Sequence, residues 1–241
     1  FYIEEREPIY TLNEVNPLFI KALLATEDVR FFEHKGIDLE ATFSILWYIV
    51  KGENRGGSTI TQQLVKNLYK TRANKNTGLL GHIPFLRSFI IKFKEWITAI
   101  KIEKIYSKNE ILTMYLNTIS FGNNAYGIRI GANRYFNTIP SKLTLNQSAI
   151  LVGMLKATSY YNPILYPKRV KNRRNVVLSQ MLKYNFITKE EYNNAINSDL
   201  NINFTVEDQE NIPVGGYFRN AVATYLKEHG YNVYTDGLII Y

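Results

Sequence analysis

A glutamate within an apolar stripe is the first residue of this 241-residue chain whose type and position suggest chemistry. Ile20, Leu23 and Leu24 follow the spacing of one helix face, and the next position on that face is Glu27. Burying a carboxylate is costly unless the group is paired or takes up a proton. Glu27 is therefore either one half of a buried ion pair or an acid-base group.

A second glutamate lies in a comparable setting. Glu95 belongs to a predicted helix that is apolar on two faces, one of which carries Phe89, Phe93, Trp96, Ile97 and Ile100. We expect this helix to be buried, with Glu95 facing a cleft or another helix. Two carboxylates in apolar settings resemble the acid-base pairs of glycosyl chemistry, although buried glutamate–lysine or glutamate–arginine pairs are the commoner cause of such a pattern.

Hydroxyl and amide side chains are concentrated at the start of another predicted helix. Gly56 and Gly57 precede them and allow the backbone to approach a ligand closely. The cluster consists of Ser58, Thr59, Thr61, Gln62 and Gln63, with Lys66 on the same helix face as the two glutamines. This density of uncharged hydrogen-bonding groups favours sugar recognition over the alternative, a capped helix with a polar outer face.

The composition indicates an anionic partner. Lysine and arginine outnumber aspartate and glutamate by 29 to 21, which gives a formal charge of +8 and a pI near 9.4. Nucleic acid, phosphate groups and lipid head groups all fit this charge. The absence of cysteine leaves the redox compartment open. No apolar run approaches the roughly 18 residues that span a bilayer, so we expect any membrane anchor to lie outside this sequence.

Helical periodicity dominates the chain and predicts a mainly α fold. The predicted helices span residues 17–33, 38–51, 59–70, 87–106, 108–117, 145–157, 167–184 and 188–196. Residue types that cap helix N-termini precede or begin four of them, namely Asp38, Ser58, Ser107 and Thr188. Beyond residue 200 the pattern changes, which predicts a short α/β linker segment, 201–241, toward a further domain.

The apolar segment 78–93 is unusual for a soluble protein. Two glycines and a proline accompany large apolar residues, and lysine and arginine flank them. This pattern suits an interfacial position on an anionic membrane, and equally a loop that folds back onto the core.

Five polar segments follow one another between residues 10 and 200. The first has Glu27-Asp28 with Phe31, His34 and Gly36, and the second has Gly57-Ser58-Thr59 with Gln62-Gln63 and Lys66. The others have Lys92 with Glu95, Lys108 through Ile111 to Tyr115-Leu116-Asn117, and Arg173-Arg174-Asn175-Val176-Val177-Leu178. Together they resemble the ordered motifs of the peptidoglycan glycosyltransferases, glycosyltransferase family 51, which form one domain of class A penicillin-binding proteins.

The resemblance implies a fold, a reaction and a set of site residues. Residues 1–200 would form a lysozyme-like helical domain with a cleft between two lobes. The domain would polymerise lipid II by inverting transfer of the growing glycan from undecaprenyl pyrophosphate to the 4-hydroxyl of the acceptor sugar. Glu27 matches the general base and Glu95 the second acidic residue of the family. The expected substrate contacts are Asp28, Phe31, Ser58, Thr59, Gln62 and Gln63, with Lys66, Arg87, Lys92 and Lys94 as cations for the leaving pyrophosphate.

One departure concerns these cations. Ile91 stands where the family usually has an arginine, and we expect Arg87, one turn earlier, to compensate. Glu95 would orient Lys92, three residues before it. We predict no metal ligands and no required cofactor; a Mg²⁺ or Mn²⁺ ion, if one takes part, would sit at the pyrophosphate. His34 is expected to fix the turn after the first helix, and Arg173 with Arg174 to support helix packing or the outer cleft.

The implied setting is the outer face of the cytoplasmic membrane. The partners would be lipid II, the growing glycan strand, cell-wall assembly proteins and the membrane surface, which residues 78–93 and an N-terminal anchor outside this sequence would contact. Nucleic acid is not an expected partner. A parent protein with a transpeptidase domain after residue 241 is favoured.

Two other functions remain as alternatives. A lysozyme-like lytic glycosidase would share the helical architecture and the catalytic glutamate, but a soluble glycan needs neither clustered cations nor an apolar loop. A non-catalytic basic module that binds membrane or nucleic acid would fit the charge, but it would not explain Glu27 or the hydroxyl and amide cluster.

Overall fold

Helices dominate the computed structural model, which describes residues 5–40, 57–69 and 84–205, together with 222, 224–226 and 228–231. The α-helices are α1 (Pro17–Glu27), α2 (Ile60–Tyr69), α3 (Pro84–Ile105), α4 (Lys108–Thr118), α5 (Ile128–Phe136), α6 (Leu145–Met154), α7 (Pro167–Lys183) and α8 (Lys189–Asn197). Short 3₁₀ helices span Leu12–Glu14 and Pro140–Lys142. Two-residue strands, β1 (Glu5–Arg6) and β2 (Ala125–Tyr126), pair in parallel. The predicted mainly α fold is confirmed; most of the predicted helix 38–51 lies outside the described residues.

The helices form two groups with a cleft between them. In the first group α7 packs on α6 and on α1, and α8 packs on α7. In the second group α2 packs on both α3 and α4. Buried apolar side chains from both groups form one core, to which α1 contributes Phe19 and Leu23 and α2 contributes Ile60 and Leu64. The arrangement agrees with the expected cleft between two lobes.

Local hydrogen bonds decide where the helices around the cleft begin and end. The prediction that α1 continues to residue 33 is wrong, because the backbone leaves the helical region at Asp28 (φ −161°, ψ 76°). The predicted cap at Ser58 is also wrong, since the Oγ1 atom of Thr59 accepts the N–H of Gln62 at 3.2 Å. The capping boxes expected at Ser107 and Thr188 are confirmed.

Helix α5 was not predicted from the sequence. It begins after Gly127, which has a φ of 84° and provides no side-chain cap. Within the helix, a Cβ atom at Gly131 would lie 2.6 Å from the ring of Phe121, so this position requires glycine. Two glycines in and before a nine-residue helix interrupt the apolar periodicity by which a helix is recognised in a sequence.

Helix α3, expected to be buried on both apolar faces, buries only the face that carries Glu95. Phe93 and Ile97, predicted to belong to a buried stripe, are 57% and 41% exposed. Glu95, Ala99 and Ile102 are buried instead. The face that carries Glu95 packs on α2, and Phe93 and Ile97 on the other side point to solvent. None of the helices in the described ranges combines the length and the apolar character needed to cross a bilayer.

The residues after α8 return to the domain. The N–H groups of Asn203 and Thr205 donate to the carbonyls of Tyr135 and Arg134 at the end of α5. Ile202 and Phe204 pack against the core. The chain therefore leaves the domain later than residue 200, and the linker that follows stays a prediction.

Candidate active site

Two hollows meet in the cleft between the helix groups. The larger hollow, of about 760 Å³, is lined mainly by residues 25–30, 57–59 and the end of α7. The smaller hollow, of about 460 Å³, is lined by parts of α2 and α7, by Glu95 of α3, and by Leu155 and Lys156. Both hollows share Thr26, Glu27, Gly57, Ser58 and Gln180. These shared residues mark the place where two bound molecules could touch.

Glu27 is the last residue of α1 and lies at this junction. Leu23 and Leu24 are buried in the core, but Glu27 is only partly buried because the helix end reaches the cleft. Its Oε2 atom accepts a hydrogen bond from Nε2 of Gln63 at 3.0 Å. Among the described residues its partner is thus an amide and not a lysine or arginine. Atom Oε1 accepts no hydrogen bond from the described residues and remains available to a ligand.

Asp28, the next residue, is buried and serves as an anchor. Its Oδ2 atom accepts the backbone N–H of Ile60, the first residue of α2, at 2.9 Å. The Nε2 atom of His34 lies 3.0 Å from the same oxygen, and the Nδ1 atom of His34 accepts the N–H of Gly36. Because Nδ1 accepts, the ring proton is on Nε2 and is donated to Asp28. Asp28 also lines the larger hollow, so its predicted substrate contact stays a prediction, whereas the turn-fixing role expected of His34 agrees with these hydrogen bonds.

Phe31, also predicted to contact substrate, lies in the core with no exposed surface. The ammonium group of Lys108 lies 4.3 Å from the centre of its ring. Lys108 also donates to the carbonyl of His34 and forms an ion pair with Glu103 at 2.8 Å. This network joins the loop after α1 to α3 and α4, and it keeps Phe31 out of both hollows.

Lys92 reaches the junction from α3. Its Nζ atom donates to Oγ of Ser58 at 2.7 Å and to Oε2 of Glu95 at 3.2 Å. Glu95 is only 2% exposed, yet it lines the smaller hollow. The expected orientation of Lys92 by Glu95 agrees with these distances.

Thr59 and Gln62 attach α2 to the loop after α1. The Oγ1 atom of Thr59 and the Nε2 atom of Gln62 both donate to the carbonyl of Gly36, at 2.9 and 3.0 Å. Gly36 has a φ of +88°, and a Cβ there would lie 2.8 Å from the backbone of Ala99. Gln62 lines the smaller hollow, and its buried Oε1 atom has no partner in the described structure. One amide oxygen of this predicted substrate residue is thus left to a ligand or a water molecule.

Comparison with known proteins identifies the family. The sequence model of the transglycosylase family matches residues 2–182. The chain belongs to this family. That membership confirms the resemblance to the peptidoglycan glycosyltransferases.

Penicillin-binding proteins are among the relatives of this transglycosylase domain. Penicillin-binding protein 1A of Aquifex aeolicus is 37% identical over 234 residues, which cover 96% of this chain and 30% of that protein. Penicillin-binding protein 1F of Bacillus subtilis is 38% identical over 192 residues, 79% of this chain and 25% of that protein. The crystal structure of penicillin-binding protein 1A from Haemophilus influenzae superimposes with a TM-score of 0.52 at 25% identity, over 92% of this chain and 22% of that one. The chain spans less than a third of the length of these relatives.

The cations of the transglycosylase cleft differ in part from those predicted. Lys66 lines the smaller hollow as expected, but Lys94 is exposed and lines neither hollow. The side chain of Arg87 lies outside the described residues. Lys156 and Arg173 line the smaller hollow, and Arg30 and Lys183 line the larger one.

Sequence reasoning missed the contribution of one face of α7. Arg173, Val176 and Gln180 all line the smaller hollow, and Gln180 with Lys183 lines the larger one. Positions 173, 176 and 180 follow the three- and four-residue steps of a single helix face. That spacing, which starts in the fifth motif, is the signal that could have found Gln180.

The described residues do not fit a protein-bound divalent cation. They contain no group of three histidine, cysteine or acidic residues placed to hold a metal ion. Glu95, the buried carboxylate of the smaller hollow, is bonded to the ammonium of Lys92. Hard cations such as Mg²⁺ need several oxygen ligands, which this pair does not supply.

Proposed function

We propose that this transglycosylase domain extends peptidoglycan glycan strands, with Glu27 as the general base. The single observation that carries the proposal is the place of Glu27 at the junction of the two hollows, with Gln63 bonded to one carboxylate oxygen and the other oxygen available. A base at the junction of two substrate sites can remove a proton from one substrate while that substrate attacks the other.

The charges of the two hollows support an assignment of the two substrates. The smaller hollow presents Lys66, Lys156 and Arg173, three cations against the two carboxylates of Glu27 and Glu95, and suits the pyrophosphate of the donor glycan. The larger hollow is of mixed charge and suits the sugar of the acceptor lipid II. Lys92, held by Ser58 and Glu95, lies beside the junction, where the donor sugar would be joined to its pyrophosphate.

The reaction balances with these groups. The acceptor 4-hydroxyl transfers its proton to Glu27 as its oxygen forms a bond to the anomeric carbon of the donor. The bond from that carbon to the pyrophosphate breaks on the opposite face, and the undecaprenyl pyrophosphate leaves with the electron pair. The lysines and arginine stabilise the charge that develops on the leaving group.

Exposed apolar side chains of the second helix group support attachment to a membrane surface. Phe93 and Ile97 of α3 and Leu68 and Tyr69 of α2 are all more than two-fifths exposed. Lysines lie beside them in the sequence, including Lys66 and Lys94. We propose that these apolar side chains contact the anionic lipid surface that contains the substrate, on the outer side of the cytoplasmic membrane. The predicted loop residues 78–83 lie outside the described residues.

A lytic glycosidase is the second candidate, because Glu27 and Glu95 both line the smaller hollow. In that reaction one carboxyl group must donate a proton to the glycosidic oxygen. Glu95 is bonded to Lys92, an arrangement that suits the positioning of a cation better than the donation of a proton.

Polymerisation of labelled lipid II in detergent tests these proposals. We expect polymer from the wild type and a loss of at least about 100-fold in Glu27→Gln, in line with the contribution of a general base. Glu190→Gln is the matched control, because Glu190 is an exposed carboxylate on α8 that lines neither hollow. Polymer formed by Glu27→Gln at the wild-type rate would exclude Glu27 as the base. Shortening of preformed glycan strands would establish the lytic alternative.

A further inference from the structure

A buried tyrosine hydroxyl lies directly behind the glutamine that contacts Glu27. The hydroxyl of Tyr115, on α4, donates to Oε1 of Gln63 at 3.0 Å, and Nε2 of Gln63 donates to Oε2 of Glu27, also at 3.0 Å. Tyr115 is 1% exposed and lines neither hollow. The three side chains form one line of hydrogen bonds from the core of the second helix group to the cleft.

Only one orientation of the Gln63 amide is consistent with both hydrogen bonds. An ionised carboxylate accepts hydrogen bonds and donates none, so the amide of Gln63 must present its NH₂ end to Glu27. The same Nε2 atom is 3.4 Å from the carbonyl of Ser58, a second acceptor on that side. The amide oxygen then faces α4, where it needs a donor, and Tyr115 supplies it.

The hydroxyl is suited to remain a donor. Burial raises the pKa of Tyr115 well above its usual value, and the negative charges of Glu27 and Asp28 raise it further. Tyr115 therefore keeps its proton throughout the pH range in which an enzyme of this kind works. Helix α4 packs on α2, so the hydroxyl is also fixed relative to the backbone of Gln63.

We propose that Tyr115 is a positioning residue that sets the orientation of the Gln63 amide and, through it, of the Glu27 carboxylate. The inference rests on the proposed role of Glu27 as general base. Without the hydroxyl, the amide can turn its oxygen toward Glu27. The carboxylate then loses the donor that holds Oε2, and Oε1 is no longer held in position for the acceptor hydroxyl. Substrate binding should be unaffected because Tyr115 touches neither hollow.

A double-mutant cycle tests the proposal with the whole chain and lipid II. We expect Tyr115→Phe to lower kcat about three- to ten-fold, the range of one lost hydrogen bond, with KM unchanged within about two-fold. Gln63→Ala should lower kcat at least as much. Since Tyr115 acts through Gln63, adding Tyr115→Phe to Gln63→Ala should cause no further loss of kcat.

Tyr135→Phe is the matched control. The hydroxyl of Tyr135 is also buried, where it donates to the carbonyl of Phe121 at 2.8 Å and accepts from Asn123 at 3.1 Å. Burial raises its pKa to about 12, so it too remains protonated. Tyr135 lines neither hollow, and its variant should lose thermal stability like Tyr115→Phe while kcat stays at the wild-type value.

The outcomes separate the inference from the function on which it rests. An additive loss in the double variant, an unchanged kcat in either single variant, or an equal loss in Tyr135→Phe would overturn the role of Tyr115. If Glu27→Gln is inactive, any of these results leaves the proposed function intact. If Glu27→Gln is fully active, both the base assignment and the inference fail. Should Tyr115→Phe not fold, an unchanged kcat in Gln63→Ala alone would still overturn the proposal.

Discussion

The carboxylate of Asp28 and the backbone N–H of Ile60 are joined by a 2.9 Å hydrogen bond that ties the residue after Glu27 to the first residue of α2. The bond crosses from the end of one helix group to the start of the other. A carboxylate at a helix N-terminus also interacts favourably with the helix dipole. The position of Glu27 relative to Gln63, three residues into α2, therefore depends on Asp28.

Replacement of Asp28 should destabilise the domain and reduce activity together. Asp28→Ala leaves the N–H of Ile60 and the ring of His34 without their buried acceptor, which should lower the free energy of unfolding by about 3 kcal/mol. Asp28→Asn keeps one oxygen as an acceptor and should lose less. Urea unfolding measures the free energy of unfolding of both variants. Equal stability of Asp28→Ala and the wild type would refute the anchoring role.

The two adjacent arginines of α7 should have separable effects. Arg174 is fully buried and donates to Oδ1 of Asn146 and to the carbonyls of Ile196 and Ser198 at the end of α8. Arg174→Met should lower the free energy of unfolding by about 3 kcal/mol, because these acceptors lose their donor. Assayed well below its melting temperature, it should keep the wild-type KM.

Arg173→Met should show the opposite pattern. The side chain is only partly buried, donates to the carbonyl of Gly153 at 3.3 Å and lines the smaller hollow. We expect a stability loss below about 1 kcal/mol and a several-fold rise in KM for lipid II. If both variants lost stability equally with no change in KM, the assignment of Arg173 to the cleft would be wrong.

Glu14 should make the stability of the domain depend on pH. Backbone N–H groups of Tyr10 and Thr11 lower the pKa of Glu14 from 4.5; burial opposes this shift, and the charge of Arg129, a smaller effect than burial, adds to the lowering. A lowered pKa in the folded state means that the ionised form stabilises folding. This contribution is complete above pH 4.5 and is lost as the pH falls through the lower folded value.

Comparison of Glu14→Gln with the wild type isolates that contribution. The variant should be less stable at neutral pH, and the difference should shrink as the pH falls below about 4.5. Urea unfolding at a series of pH values gives the measurement. A difference that does not change with pH would contradict the electrostatic role.

The exposed apolar side chains of α3 should determine membrane attachment. Replacing both Phe93 and Ile97 with serine should weaken co-sedimentation with phosphatidylglycerol vesicles, because each removes apolar surface from the proposed contact. Leu165→Ser is the control, since Leu165 is 64% exposed and lies between α6 and α7 in the first helix group. The same test applies to Leu79, Leu80 and Phe85 in the segment 78–93, whose side chains lie outside the described residues. Unchanged binding of both serine variants would exclude the proposed membrane contact.

Local signals predicted much of the helical framework. Capping boxes at Ser107 and Thr188 depend on residues three apart in the sequence, and both were found where expected. Helix α5 was not predicted, because its start depends on the backbone conformation of Gly127 and its interior on the close approach of Phe121 to Gly131. Both are properties of the folded chain.

The sequence by itself determined the family that the chain resembles and part of the candidate site, because motif order and residue type are local properties. Glu27, Ser58, Gln63 and Glu95 do line the cleft. The tertiary structure decided what each one faces. Asp28 and Phe31 stand in the same motif as Glu27, yet the chain turns at Asp28. Asp28 therefore anchors α2, and Phe31 lies in the core.

The face of α3 that is buried also depended on tertiary structure. An amphipathic pattern cannot distinguish an apolar face that packs on a neighbouring helix from one that is exposed, because both present the same periodicity. Packing of α2 against the side of Glu95 buried the carboxylate and left Phe93 exposed. The line from Tyr115 through Gln63 to Glu27 joins three helices, and only the folded chain brings these three side chains together.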